Sequence, residues 1–372
     1  MTEPTAALQL LAPDGTLAAP DERTERFLAT VDALSDGELE RFYRDMVVIR
    51  RFDVEAANLQ RQGEMGLWVG SMGQEAAQVG SGHAARAQDH LFPAYREHSV
   101  GMIRGLDVLD IIRMLRGVTH GGWDPVQTGN FHLYTLVIGA QTLHATGYAL
   151  GIALDGLSGT GDVGRDQAVI VYFGDGATSQ GDVSESLTFA ASWQTPEVFF
   201  LQNNQWAISV PVSTQSRTPL HLRGDGFGIP NIQIDGNDVL ASYAVTRRML
   251  DEARSGGGPR LIEAMTYRIG AHTSSDDPTK YRDDAELQSW SAKDPITRFA
   301  TWLRGKGATD AFFAEVAAEA EDIAADIRSR AVTLGVPPAT SMFDHVYSEP
   351  HPVMDAQRAW LVDYEASLEE NA

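Results

Sequence analysis

Two short polar interruptions carry most of the chemistry legible in this chain. Gly174-Asp175-Gly176 follows the apolar run 168–173, and Asn203-Asn204 follows the run 197–202. If both runs are neighbouring parallel strands, a carboxylate and an amide oxygen reach one point beyond the strand ends, where open α/β sheets bind ligands. Such hard oxygen donors suit Mg2+, which completes its shell with water and phosphate oxygens. The two glycines would let a diphosphate approach the backbone, and the start of the following helix would favour its charge. Alone, Gly-Asp-Gly is equally well explained as a surface turn. Two rival motifs fail on single residues. A dinucleotide fingerprint needs glycine where Ser179 stands, and an aspartyl-nucleophile phosphatase needs Asp where Phe173 stands.

The elements that must position these groups follow from periodicity. Apolar residues at helical spacing predict a helix between Ser35 and Gly63, with Ser35 or Asp36 as its cap. A shorter capped helix is expected over 107–117, and a Gly- and Ala-rich helix over 139–156 allows close approach of another backbone or a ligand. Strands are predicted at 168–173, 197–202, 231–236 and 260–268, with helices at 182–194 and 238–258 between them. This alternation predicts an α/β fold with a parallel sheet and helices on both faces. Residues 1–35 read as an extended arm, 36–335 as one domain, and 336–372 as a proline-punctuated tail after a largely helical stretch at 294–329.

Composition narrows the function. At 372 residues the chain buries a large core, and a net charge of −22 argues against nucleic acid or an anionic membrane as partner. The absence of cysteine excludes disulfides, thiolate metal sites and a thiol nucleophile. No pair among the 10 histidines has zinc-site spacing, and no apolar run reaches membrane-span length. The first basic residue is Arg23, unlike the basic start of a signal or transit peptide, so a cytoplasmic protein is expected.

The whole spaced pattern, Gly174-Asp175-Gly176 followed by helix, strand and Asn203-Asn204, resembles the thiamine-diphosphate motif. The segments "FPAYREHSVGMIRG" (92–105), "GAQTLHATGYALGIAL" (139–154) and "LIEAMTYRIGAHTSSDDPTKYR" (261–282) extend the likeness. Over roughly residues 35–355 the chain resembles alpha subunits of the E1 component of 2-oxo acid dehydrogenase complexes, the branched-chain (2-oxoisovalerate) type above all. The resemblance implies a thiamine-diphosphate-binding fold, with Mg2+ held by Asp175, Asn204 and the carbonyl of Trp206. It places Tyr95, Arg96, Gln202, Arg268 and the backbones of Gly176 and Ala177 at the diphosphate. His272 would assist transfer to the lipoyl group. Ile138, with Leu136 beside it, would support the bent cofactor, although their types fit ordinary core packing equally well. Gln202 stands where the branched-chain pattern has an arginine on the diphosphate, and Asp175 where it has a glutamate.

The resemblance further implies half an active site. A beta subunit would supply the activating glutamate in an α2β2 heterotetramer, and a lipoyl-bearing E2 acyltransferase would receive the acyl group from a small 2-oxo acid. Pyruvate is the alternative substrate. Acetoin cleavage and a non-catalytic thiamine-diphosphate-binding relative are the more distant alternatives.

Overall fold

The computed structural model describes residues 7–119 and 121–369; the first six residues of the expected arm and the last three of the tail lie outside them. Five strands form one sheet: β1 (His90–Phe92), β2 (Val169–Gly174), β3 (Glu197–Asn203), β4 (Asn231–Asp235) and β5 (Arg260–Met265). They run in the order β1-β2-β3-β5-β4, and every pairing is parallel. Of these five, only β1 escapes the periodicity argument, because three residues are too few to show a period.

The uninterrupted apolar character of β2 and β3 comes from burial on both faces, as expected of parallel sheets. Ile170, Tyr172, Val198 and Phe200 join a core built with the helices Asp36–Arg61, Glu75–Ala84 and Val239–Glu252. Val169, Val171, Phe173, Phe199 and Leu201 join a second core with the helices Ala140–Leu154 and Gly181–Trp193. On the first face, two helices lie almost backbone to backbone. A Cβ on Gly80 would stand 2.7 Å from both Ser242 Cβ and the Val239 carbonyl, so only glycine fits there.

Helix boundaries follow local chemistry. Ser35 caps Asp36–Arg61 in a capping box: its hydroxyl accepts from the Glu38 N–H at 3.3 Å, and its own N–H donates to the Glu38 carboxylate at 2.9 Å. Asp107 caps Val108–Arg116, and Gly117 ends it at φ +74°.

Residues 1–35 are not extended throughout. Glu25–Asp32 is a helix whose Phe27, Leu28 and Val31 pack into the first core. Ahead of it, Leu8 bridges to Ile234 on β4, and the N–H groups of Leu10 and Leu11 donate to Asp238 at 2.6 and 2.7 Å. The tail also holds a helix, Pro352–Glu369. Proline is tolerated at a first helical position because its missing N–H would have had no partner there. Thus proline marks the start of this helix and does not forbid it.

One buried acid makes fold stability depend on pH. Burial pushes the Glu197 carboxyl up to about 8 from its ordinary 4.5, although the Thr146 and Thr195 hydroxyls bond to it. The folded chain therefore holds this proton more tightly than the unfolded chain. The associated stability is full below pH 4.5 and is lost as pH rises through about 8. Glu197→Gln preserves shape without an ionisable proton. Its melting temperature should exceed the parent's by a few degrees at pH 9, and the gap should close on acidification. Thermal denaturation from pH 5 to 9 measures this.

Candidate active site

Sheet register decides the site. Gly174 on β2 pairs with Gln202 on β3, so Asp175 and Asn203-Asn204 leave the sheet side by side at its carboxyl end. From Asp175 the chain makes a 3-10 turn to Ser179 and enters the helix Gly181–Trp193. From Asn204 it turns sharply, with Gln205 at φ +74° and Ile208 at φ +55°. Between these exits lies a cavity of about 240 Å³.

Ten of the twelve residues named from the sequence line it: Tyr95, Arg96, Ile138, Asp175, Gly176, Ala177, Gln202, Asn204, Trp206 and His272. The remaining two do not. Leu136 is 64% exposed. Arg268 is buried outside the wall, where it donates to the carbonyls of Trp206 at 3.0 Å and Ile208 at 2.8 Å, and to the Tyr281 hydroxyl at 2.9 Å. Its guanidinium therefore braces the strained 204–208 corner.

The cavity is electrostatically tense. Burial pushes the Asp175 carboxyl up to about 6, against a bond at 3.1 Å from the Gln215 amide. A bound cation would reverse that shift. Burial, with Arg96 and Arg268 nearby, pushes His272 down to about 4, so the ring is neutral at physiological pH. Its Nδ1 lies 3.3 Å from both Arg96 Nη2 and Arg268 Nη1. Arginine only donates, so Nδ1 accepts and the proton sits on Nε2. Arg96 also donates to the carbonyls of Gly70 and His272, which ties three loops together. His90 and His132, the latter stacked on Phe92 with centroids 3.8 Å apart, bond to each other outside the cavity wall.

Five buried polar atoms without partners belong to residues of this wall: Gln74 Nε2, Glu97 Oε2, Gln141 Oε1, Gln202 Oε1 and Trp206 Nε1. Buried polar groups are rarely left unpaired, and each costs about 1–3 kcal/mol. Their concentration here marks a site built for a polar ligand. Glu97 is wholly buried, which raises its pKa, and Oε1 accepts from the Gln202 amide at 2.6 Å. Gly176 has a packing reason as well as a ligand-facing one, since a Cβ there would stand 2.8 Å from Ala207 Cβ.

Sequence reasoning missed Gln74, Glu97, Gln141 and Gln180 in the wall, and Gln215 behind it. Neutral amides carry no spacing signature. Only Glu97, adjacent to Tyr95-Arg96, had a signal that could have found it.

A family model described as Dehydrogenase E1 component matches residues 43–331. The chain belongs to this family. The 3-methyl-2-oxobutanoate dehydrogenase subunit alpha of Mycobacterium tuberculosis is 43% identical over 357 residues, covering 95% of this chain and 93% of that protein. The pyruvate dehydrogenase E1 component subunit alpha of Acholeplasma laidlawii is 38% identical, covering 85% and 90% respectively. That of Staphylococcus aureus is 38% identical over 74% of this chain and 73% of its own length. The E1 family is an enzyme family dependent on thiamine diphosphate, and relatives described as alpha subunits imply a beta partner. The Arg96 guanidinium and the unpaired Gln74 and Trp206 N–H groups are donors that fit a diphosphate, the unpaired oxygens of Glu97, Gln141 and Gln202 fit donor groups of the same ligand, and the buried Asp175 fits a cation. Among the described residues, no helix is long and apolar enough to cross a membrane.

Proposed function

We propose that this E1 chain is the alpha subunit of a branched-chain 2-oxo acid dehydrogenase, forming an α2β2 heterotetramer with a beta subunit in the cytoplasm. The observation that carries the chemistry is the convergence of Asp175, Asn204, Arg96 and His272 on one cavity. The carboxylate of Asp175, the amide oxygen of Asn204 and the carbonyl of Trp206 would hold Mg2+. Trp206 O also accepts from Arg268 at 3.0 Å, which fixes its direction and leaves a second lone pair for the metal. Tyr95, Arg96 and the backbones of Gly176 and Ala177 would bind the diphosphate; Gln202 lines the cavity, but its NH2 is committed to Glu97 and only its oxygen is left free, so it is not a diphosphate donor.

When bound, thiamine diphosphate supplies the electron sink for decarboxylation. The residues of this chain orient it and exclude water. Ile138 gives the apolar support from this side. His272, neutral with its proton on Nε2, would donate an Nε2–H hydrogen bond to the sulfur released when the lipoyl disulfide opens, stabilising its negative charge until solvent protonates it. Leu133, Leu136, Val137 and Ile208 are exposed apolar residues near the cavity, a rim suited to cover by the beta subunit.

The substrate reading rests on the higher identity and wider coverage of the 3-methyl-2-oxobutanoate relative. Pyruvate is the second reading, favoured by the pyruvate relatives and by aspartate at position 175. CO2 release from the reconstituted α/β pair with each 2-oxo acid tests it. A kcat/KM at least roughly tenfold higher for 3-methyl-2-oxobutanoate is expected, the scale on which one or two methylenes discriminate. No activity is expected from the alpha chain alone. A preference for pyruvate would replace the substrate assignment, and robust turnover by the lone chain would overturn the shared-site architecture.

A further inference from the structure

Behind the Asn203-Asn204 corner lies a carboxylate outside both the cavity wall and the sequence motif. Glu263 on β5 is 1% exposed, and four donors converge on it. Its Oε1 accepts from Asn203 Nδ2 at 2.7 Å. Its Oε2 accepts from the His221 N–H and ring Nδ1, each at 2.9 Å, and from Gln233 Nε2 at 3.0 Å. Burial alone would raise its pKa, but the bonds from His221 and Asn203 outweigh burial and hold it below the usual value. Glu263 is thus an ionised acceptor, and hydrogen bonds to charged acceptors are the stronger kind.

The corner that it holds is strained. Gln205 and Ile208 take positive φ, a conformation that costs non-glycine residues about 1–2 kcal/mol each. Asn203 is the clamp. Its Oδ1 accepts from the Gln205 N–H at 3.1 Å while its Nδ2 is committed to Glu263. Asn204, by contrast, has only long side-chain bonds: 3.3 Å to Gln74 Oε1 and 3.3 Å from the Trp206 N–H. The direction of its amide therefore depends on the corner more than on its own contacts.

We propose that Glu263 is a positioning residue for the metal–diphosphate anchor: by fixing Asn203 it aims Asn204 and the Trp206 carbonyl at one point. This inference rests on the metal reading above. It also gives the first amide of the pair a part in the site, although it does not line the cavity.

The test is a polarity swap in the assembled α/β complex, with Mn2+ as a paramagnetic probe titrated in the presence and absence of thiamine diphosphate. In Glu263→Gln, the three donors on the His221 side retain the new carbonyl, which turns its NH2 against Asn203 Nδ2, donor to donor. Mn2+ affinity with thiamine diphosphate present should fall roughly tenfold or more, the loss expected for one charge-assisted bond. Adding Asn203→Asp supplies an acceptor to that NH2 and keeps an oxygen for Gln205, and affinity should return to within about threefold of the parent. Asn203→Ala breaks the contact from the other end, leaves Glu263 with its other donors, and should match the single-variant loss even if Glu263→Gln assembles poorly. A bystander role predicts parent-like affinity in both single variants, and a merely structural role predicts no recovery in the swap; either overturns the proposal. If the parent complex itself shows no thiamine-diphosphate-dependent Mn2+ site, the metal reading fails, and this inference with it.

Discussion

Asp175→Ala in the assembled complex is expected to abolish cofactor retention and, with it, 2-oxo acid decarboxylation. The carboxylate is the one formally charged ligand in the proposed metal set, and burial already pushes it up to about 6 without a cation. Its removal leaves a neutral amide and a carbonyl to hold a divalent ion, and cation affinity falls steeply with ligand charge. A metal ion contributes several kcal/mol to charge stabilisation, so affinity for Mg-thiamine diphosphate should drop by roughly a hundredfold to a thousandfold. Folding should survive, because the substitution relieves a buried charge. Calorimetric titration of cofactor with Mg2+, beside circular dichroism of the variant, checks both halves. Retained affinity would remove Asp175 from the anchor. Unchanged turnover despite lost affinity would instead make this a structural relative with no catalytic part.

His272→Ala should separate the two halves of the reaction. On the reading proposed above, its Nε2–H would serve acyl transfer to the lipoyl group more than decarboxylation. The overall rate with lipoylated E2 should therefore fall by roughly 10²–10³-fold, while decarboxylation with an artificial electron acceptor changes far less. The pH dependence has a definite sign. Burial and the two arginines push this imidazole down to about 4 from 6.5. The neutral form thus persists through the physiological range; only as pH drops toward 4 or below would a proton on Nδ1 set the ring against the Arg96 and Arg268 donors, displace it and impair transfer. A transfer profile that breaks near pH 6.5 would mean that the ring is not held between Arg96 and Arg268 in the working complex. Equal losses in both half-reactions would make His272 a binding residue.

Much of this site was legible because its chemistry needs particular residue types at strand ends. Asp175 and Asn204 interrupt apolar runs for no packing reason, and Tyr95, Arg96 and His272 sit in segments whose likeness to the E1 family extends over most of the chain. Arg268 shows where that reasoning runs short. Residue type and position suit a phosphate contact, yet both of its Nη groups are turned to the carbonyls of Trp206 and Ile208, and only Nε is left without a partner. Leu136 and Ile138 are two residues apart and chemically alike, but only Ile138 faces the cavity. Neither difference has a signature in a linear pattern, because both depend on how a loop turns.

By itself the sequence determined the α/β class, the order of most elements, the placing of Asp175 and Asn204 at adjacent strand ends and the likeness to an E1 alpha chain. Each of these rests on local periodicity or on residue types whose spacing along the chain is the signal. Tertiary structure alone decided which residues stand behind that pair. Glu263 is 60 residues from the Asn203 that it holds, and Gln74 is 130 from Asn204. Parallel pairing of β3 with β5 puts Asn203 opposite Met265, two residues beyond Glu263. Such partners meet because strands distant in sequence are neighbours in the sheet, and no spacing in the chain encodes that adjacency.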